Sequence, residues 1–468
     1  MSAAKAATKG CWTCKDRKVS CDRAVPVCNK CSKSKRVCGG YGIRLSWVKN
    51  DDQKKWLVES GHQQLQHARI RHQSEQWINV SSTDIRLHIL AKATVGGVED
   101  VVVGILPSVG RERTEVGRLL LRMALSGRSV SSMALLLSLV ALASRHRGND
   151  MMHAARAKNA AIEALVSATS PGLDSDASIE HIATGLVLCL VETDLDCDWI
   201  GHLCGARNIV PTVDKKAHSI GSDAAIILGW LYHFVTFTRF SFRHWRTYMI
   251  RSTSHELGFK AANHTCAVQY RIARIAFAED MSSIATCAHP LLHLLAEVFE
   301  TRLYASDPHY HSNDYQQSLN DLKSRLSDID LVTRDEKGEG DKYYCLEFTR
   351  LAGLIYLERV SRNFSGQSTQ LDHWKEDALC ILAKLNTYPS SFAMFIIGCE
   401  VHTDKERLII LDFFTRLEQG SHLSSSLEAK GMIQTAWIQH DLGVEGELEY
   451  IHKINLVMSS RDVIPSFM

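Results

Sequence analysis

Six cysteines between residues 11 and 38 constrain what the start of this chain can fold into. Cys11 and Cys14 form a Cys-x2-Cys pair, and Cys21 follows seven residues after Cys14. Cys28, Cys31 and Cys38 repeat the same offsets. A single Cys-x2-Cys pair is shared by redox and metal proteins, but a duplicated triplet points to metal. Zn²⁺ takes four tetrahedral ligands and favours thiolate sulfur. Six sulfurs serve two zinc ions only if two of them bridge and four are terminal. Six thiolates against two Zn²⁺ leave a net charge of about −2. Lys15, Arg17, Lys18, Lys30, Lys33, Lys35 and Arg36 stand among the cysteines to offset it. Nearby cations also favour the thiolate form. Too few apolar side chains lie in this stretch for a core, so metal binding is expected to supply its folding free energy. The chain opens Met1-Ser2-Ala3-Ala4-Lys5 with no apolar signal segment, which argues against an oxidising compartment and a disulfide framework.

With Pro26 in the loop after Cys21-Asp22, residues 11–38 closely resemble the fungal Zn₂Cys₆ binuclear cluster of DNA-binding transcription factors. The resemblance implies that Cys11 and Cys28 bridge two Zn²⁺ ions. Cys14, Cys21, Cys31 and Cys38 would then be terminal ligands. It also implies a double-stranded DNA partner with CGG-type half-sites. A short helix is expected between Cys14 and Cys21, its start entering the major groove. Lys18 matches the family's base-reading position, and Lys15 and Arg17 are expected to hold phosphates. The family usually has a basic residue before the third cysteine. Here that residue is Ser20, so one backbone contact of the family is not expected. The opening Gly10-Cys11-Trp12-Thr13-Cys14 and the junction from Cys38 to Trp47 are similar to the subgroup that includes the yeast arginine-metabolism regulator.

Net charge is only +2, but it is unevenly spread. Residues 1–50 hold twelve Lys/Arg against two Asp/Glu, and the remainder holds 42 against 50. A basic head on a mildly acidic body fits a nucleic-acid-binding module joined to a separate domain. The other cysteines, Cys189, Cys197, Cys204, Cys266, Cys287, Cys345, Cys380 and Cys399, form no Cys-x2-Cys pair. Most have apolar surroundings, where a thiol acts as a small hydrophobe. The most apolar run, Met133 to Ala143, is far short of the ~20 residues that span a bilayer, so no membrane partner is expected.

Residues 1–10 read as a disordered basic tail, 11–38 as the DNA-binding cluster and 39–81 as a linker. Within 51–80, Trp56, Leu57, Leu65, Ile70, Trp77 and Ile78 keep no heptad spacing, so a linker or a short helix is expected rather than a coiled coil. From 82 to 468 the pattern is that of one all-helical body, making the chain mainly α. Helix-length segments run over Ser131–Ser144, Met151–Thr169 and Ala177–Leu195. Thr403-Asp404-Lys405-Glu406 is a capping box for a helix that stops at Gly420. His289-Pro290 opens a helix expected to reach Leu303. Asp198 to Arg207, Trp230 to Trp245 and Phe395 to Val401 resemble the fungal-specific regulatory domain that accompanies such clusters.

His289 and His293 have the spacing of a helical metal pair, but Pro290 lies between them and no Glu follows His289. No Walker loop, dinucleotide fingerprint or nucleophile elbow occurs, so no enzyme is expected. Asp194, Asp196 and Asp198 lack the Gly and Glu of a calcium loop. The charged run Arg334–Asp341 reads as solvated surface. The leading expectation is a nuclear, sequence-specific transcription factor of RNA polymerase II genes. Its partners would be the transcription machinery and a second copy in a homodimer. The alternative is a metabolite-binding or enzymatic body that the cluster tethers to chromatin.

Overall fold

The computed structural model describes residues 11–24, 27–36, 38, 68–71, 77–80, 113–126, 129–146, 151–169, 174–193, 198–214, 222–245, 281–301, 303, 307–331, 340–420, 424–442, 450–461 and 463–467. The basic tail, Pro26, the glycine-rich exit, most of the 39–81 linker, Asp194, Asp196 and most of the charged run 334–341 lie outside them. The chain divides into two compact units, Met1–His67 and Ala68–Met468.

In the first unit two short helices, α1 (Trp12–Asp16) and α2 (Asn29–Lys33), each begin directly after a cysteine. The second unit opens with a departure from the expected linker or helix. Ala68–Arg71 (β1) and Trp77–Val80 (β2) pair antiparallel, with Ile70 opposite Ile78. Ile70, Trp77, Ile78 and Val80 are β-branched or aromatic residues that favour strands. A search for heptads overlooks that local signal.

The rest of the second unit is helical where described. α3 (Arg113–Ser126), α4 (Val130–His146), α5 (Met151–Thr169), α6 (Ser175–Glu192) and α7 (Asp198–Ile209) come first. The three segments expected near 131–195 thus form, the third two residues earlier at its start and three earlier at its end. α4 packs on α5 and α6, and α6 packs on α7. That last contact is close, because the Cα of Gly185 sits where a Cβ would lie 3.0 Å from Ala206 Cβ.

α8 (Asp223–His244) is buried around almost its whole circumference. Such a helix lies inside a domain, not on its face. Its hydroxyls avoid the cost of burial by bonding back along the helix: Thr236 to the Tyr232 carbonyl, Thr238 to Phe234 and Ser241 to Phe237. α9 (Ser282–Ala285) and α10 (Pro290–Glu300) lie against α8. α11 (Asn313–Asp328) buries Leu319, Leu322 and Leu326 at helical spacing, and α12 (Gly340–Tyr356) runs on into a π-helical turn over Leu357–Ser361. α13 (Thr369–Leu382), α14 (Ser391–Cys399), α15 (Asp404–Gly420), α16 (Ser424–Asp441) and α17 (Tyr450–Ser459) complete the order.

The end of α8 is bolted to two distant helices. His244 Nδ1 lies 2.8 Å from Asn455 Oδ1 on α17, and Nε2 lies 2.7 Å from the Tyr356 hydroxyl on α12. Beside it, Arg243 donates to the Val298 and Phe299 carbonyls near the end of α10. Phe240, Phe299, Tyr356, Phe392 and Phe467 pack edge-on or tilted around this point. Such aromatic pairs contribute about 0.5–1.5 kcal/mol beyond their area burial.

The capping box forms reciprocally: Glu406 N donates to Thr403 Oγ1 at 3.3 Å, and Thr403 N donates to the Glu406 carboxylate at 3.0 Å. Burial works against the Glu406 charge, but Lys375 and Thr403 overcome it and hold the carboxyl down at about 2. α15 ends at Gly420 as its sequence predicts. α10 ends at Glu300 instead of Leu303, because the Thr301 backbone leaves helical geometry and its carbonyl accepts from the Tyr315 hydroxyl. His289 is not a metal ligand in waiting; its Nδ1 accepts from Leu291 N and caps α10. His293 stands 5.0 Å from the Tyr232 ring. Cys189, Cys204, Cys287 and Cys345 are buried thiols, whereas Cys380 is exposed and Cys399 half-buried.

Gly229 marks where α8 needs a missing side chain. A Cβ there would sit 2.3 Å from the Cys287 carbonyl oxygen, a backbone atom that cannot swing aside. Gly229→Ala is expected to destabilise the body by about 1–3 kcal/mol, as overpacking does. Urea denaturation followed by far-UV circular dichroism measures this; an unchanged midpoint would contradict the close approach.

Candidate metal centre and nucleic-acid interface

Each half of the first unit starts with a cysteine sulfur at a helix N-cap. Cys11 Sγ accepts from Cys14 N at 3.4 Å, and Cys28 Sγ accepts from Cys31 N at 3.3 Å. The Cys-x2-Cys spacing therefore puts both sulfurs of a pair at the first turn. Both helices also finish alike. Lys18 N donates to Lys15 O and Val19 N to Cys14 O, while Lys35 N donates to Ser32 O and Arg36 N to Cys31 O. This 5→2 and 6→1 pattern is the Schellman ending, which needs a left-handed residue just past the helix. Lys18 (φ 52°) and Lys35 (φ 50°) occupy that position. The sequence repeat is thus a structural repeat, carried from cap to cap.

The two halves bring the six sulfurs together. Cys11, Cys14, Cys21 and Cys28 form one group of sulfurs all within 4.8 Å of one another, and Cys11, Cys28, Cys31 and Cys38 form a second. Cys11 and Cys28 belong to both, with their sulfurs 3.6 Å apart. Cys11 lies 3.7 Å from Cys31 Sγ, and Cys14 lies 3.7 Å from Cys28 Sγ. A tetrahedron with Zn–S near ~2.3 Å has S···S edges of about 3.8 Å, so this donor set fits zinc. Burial pushes the Cys11 thiol up to about 12 and raises Cys14 and Cys28 as well. Without a cation, burial favours the protonated form at Cys11, Cys14 and Cys28, and zinc supplies the charge that makes thiolates favourable. Cys21 is held lower, at about 7, chiefly because Cys11 N donates to its sulfur at 3.3 Å.

Asp22, next to Cys21, ties the halves together. Its two carboxylate oxygens accept from Asn29 N (3.0 Å) and Lys30 N (3.3 Å) at the start of α2. Burial opposes its charge, but these backbone donors hold its carboxyl below the ordinary range. The cysteine spacing does not reveal this role, and an acidic residue seven places before a helix start is only a faint signal without the loop geometry.

The expected helix between Cys14 and Cys21 is displaced. α1 spans Trp12–Asp16, so Lys15, Arg17 and Lys18 lie at its end and not after its start. The cause is the sulfur cap at Cys11, which opens the helix early, and the left-handed Lys18, which closes it before Cys21. All three cations are exposed.

With this geometry in hand, comparison with known proteins decides the family. Residues 99–459 match the fungal specific transcription factor domain, and residues 9–47 match the fungal Zn(2)-Cys(6) binuclear cluster domain. The chain belongs to the fungal-specific transcription factor family. Its head is the zinc cluster of that family, a module that binds two zinc ions, and cluster and body together make a regulator of transcription that acts on DNA. Similar proteins include transcription factor iacI of Pestalotiopsis fici, 27% identical over 377 residues, covering 79% of this chain and 93% of that protein. Arginine metabolism regulation protein II of Saccharomyces cerevisiae is 58% identical over 40 residues, 8% of this chain and 4% of that protein. Pestheic acid cluster transcriptional regulator 3 of Pestalotiopsis fici is 39% identical over 51 residues, 11% of this chain and 9% of that protein. No solved structure matches. Among the described residues no helix is long and apolar enough to cross a membrane.

Zinc removal should separate the two units. Chelation is expected to unfold residues 11–38 and abolish DNA binding while the body keeps its helices, because among the described residues no other metal-ligand group occurs. Metal analysis should return two zinc ions per chain before chelation. One zinc per chain would contradict the shared-sulfur arrangement.

Proposed function

We propose that this chain is a nuclear, sequence-specific transcription factor whose zinc cluster reads CGG-type half-sites on double-stranded DNA. The observation that carries this is the pair of sulfur groups sharing Cys11 and Cys28, with exposed cations at the end of the helix they cap. In this reading Cys11 and Cys28 bridge the two zinc ions, and Cys14, Cys21, Cys31 and Cys38 are terminal ligands. The zinc ions fix the fold and do no chemistry on DNA. The helical body receives or transmits a regulatory signal to the transcription machinery and has no enzymatic role.

Lys18 reads bases and Arg17 and Lys15 hold phosphates. Lys18 is exposed just past the end of α1, on the left-handed residue that closes the helix. Guanine presents N7 and O6 acceptors in the major groove, and a lysine ammonium donates to both. A lost base contact costs about 1–3 kcal/mol and relaxes preference at that base, whereas a lost phosphate contact weakens all sequences alike. Lys18→Ala is therefore expected to lose discrimination between CGG-containing and scrambled DNA. Arg17→Ala is expected to weaken both nearly equally. Titrating both variants against both DNAs at two salt concentrations checks this, and equal losses for Lys18→Ala would refute the base-reading role.

Two copies reading two half-sites need a fixed separation. Residues 51–80 lack heptads, so any homodimer is held by the body or by a short irregular segment, or else the protein binds as a monomer. A fragment ending near residue 80 is expected to be monomeric by analytical ultracentrifugation; a tight dimer would move the contact into the fragment.

A further inference from the structure

The cations at the end of α2, Lys33, Lys35 and Arg36, offset the negative charge of the cluster. Their placement says more. The repeat aligns Lys35 with Lys18 at the same left-handed position, with φ 50° against 52° and the same two backbone hydrogen bonds. Lys33 lies in the last turn of α2, as Lys15 does in α1, and Arg36 follows Lys35 directly. Lys33, Lys35 and Arg36 are all exposed. A duplicated fold alone would leave open whether the two basic ends face the same way.

One contact decides that question. Arg17 Nη1, from the C-cap of α1, lies 3.5 Å from Ser34 Oγ, the C-cap residue of α2. Ser34 Oγ itself donates to the Lys30 and Cys31 carbonyls, at 2.9 and 3.1 Å, which pins it on the end of α2. The two helix ends are therefore within one arginine side chain of each other. The acidic Asp22 sits at the opposite, N-terminal end of α2. Carboxylate at one end of α2 and cations at the other follow the helix dipole, and across the shared end of α1 and α2 the sequence sets Lys15, Arg17, Lys18, Lys33, Lys35 and Arg36 against the single acidic residue Asp16.

We infer that the end of α2 is a second phosphate-binding edge, with Lys35 at its centre and Lys33 and Arg36 beside it, gripping the same DNA duplex that the end of α1 reads. This rests on the DNA-binding reading above. Arg17 then has a positioning task as well as a phosphate, because it spans the two ends. In this proposal the edge contacts phosphates only, and its cations differ from those of the first half around the shared Lys18/Lys35 position: Ser32 and Ser34 stand where the first half has Lys15 and Arg17, and Arg36 stands where it has Val19. It supplies affinity and orientation, as phosphate contacts do.

The test uses the full-length, zinc-loaded chain and titrates CGG-containing and scrambled duplexes across a series of salt concentrations. Each phosphate contact contributes about 0.9 to the slope of log K against log salt. Lys35→Gln is expected to lower affinity equally on both duplexes and to reduce the slope by about one, with Lys35→Arg restoring it. The triple variant Lys33→Gln, Lys35→Gln, Arg36→Gln is expected to reduce the slope by about two to three, while the ratio of affinities for the two duplexes stays that of the parent chain. Zinc content of two per chain confirms that each variant keeps its cluster. An unchanged slope in the triple variant, with CGG preference intact in the parent, overturns the second edge and leaves the DNA reading standing. A parent chain without CGG preference overturns the DNA reading itself, and a parent without DNA binding overturns both. A triple variant that loses preference instead of slope shows that the edge reads bases, which also contradicts this assignment.

Discussion

Cys11 Sγ and Cys28 Sγ lie 3.6 Å apart, and each also accepts the first backbone hydrogen bond of a helix. Everything in the head depends on that double use. A sulfur that caps a helix fixes the helix direction, and a sulfur shared between two metal groups fixes one helix against the other. The backbone donors at both caps also favour negative charge on the sulfur, the state that zinc requires. A stretch with hardly any apolar core is thereby given a defined shape. That shape puts its cations on helix ends, where no apolar packing competes for them.

The body is held by the opposite means. α8 is enclosed by apolar neighbours; its threonines bond back along the helix and His244 bonds to Tyr356 and Asn455, whereas the buried Trp230 Nε1 and both ring nitrogens of His233 make no hydrogen bond among the described residues. The three stretches that resemble the regulatory domain of this family turn out to be packing elements. Trp199, Trp245 and Phe395 are fully or almost fully buried. The close approaches at Gly229 and Gly185 serve the same end, since each lets a helix touch a neighbour's backbone or Cβ directly.

The cysteine spacing alone determined the metal, the number of ions and the existence of two equivalent halves, because tetrahedral thiolate chemistry admits few solutions for six sulfurs at these offsets. Local signals were equally firm at helix ends: Thr403 and Glu406 cap each other and Gly420 ends α15, since both interactions involve only neighbours in the chain. The β-hairpin at 68–80 had a local signal too, in Ile70, Trp77, Ile78 and Val80, but one of period two in a region read for period seven. Tertiary structure decided what depends on residues far apart. It ended α10 at Glu300, because Tyr315 takes the Thr301 carbonyl. It set Arg17 beside Ser34, seventeen residues on, joining two basic ends that the sequence shows only as separate runs. Spacing along a chain states which atoms are of the right kind for a site, whereas the direction in which a helix end points is fixed only once its sulfurs have found those of the other half.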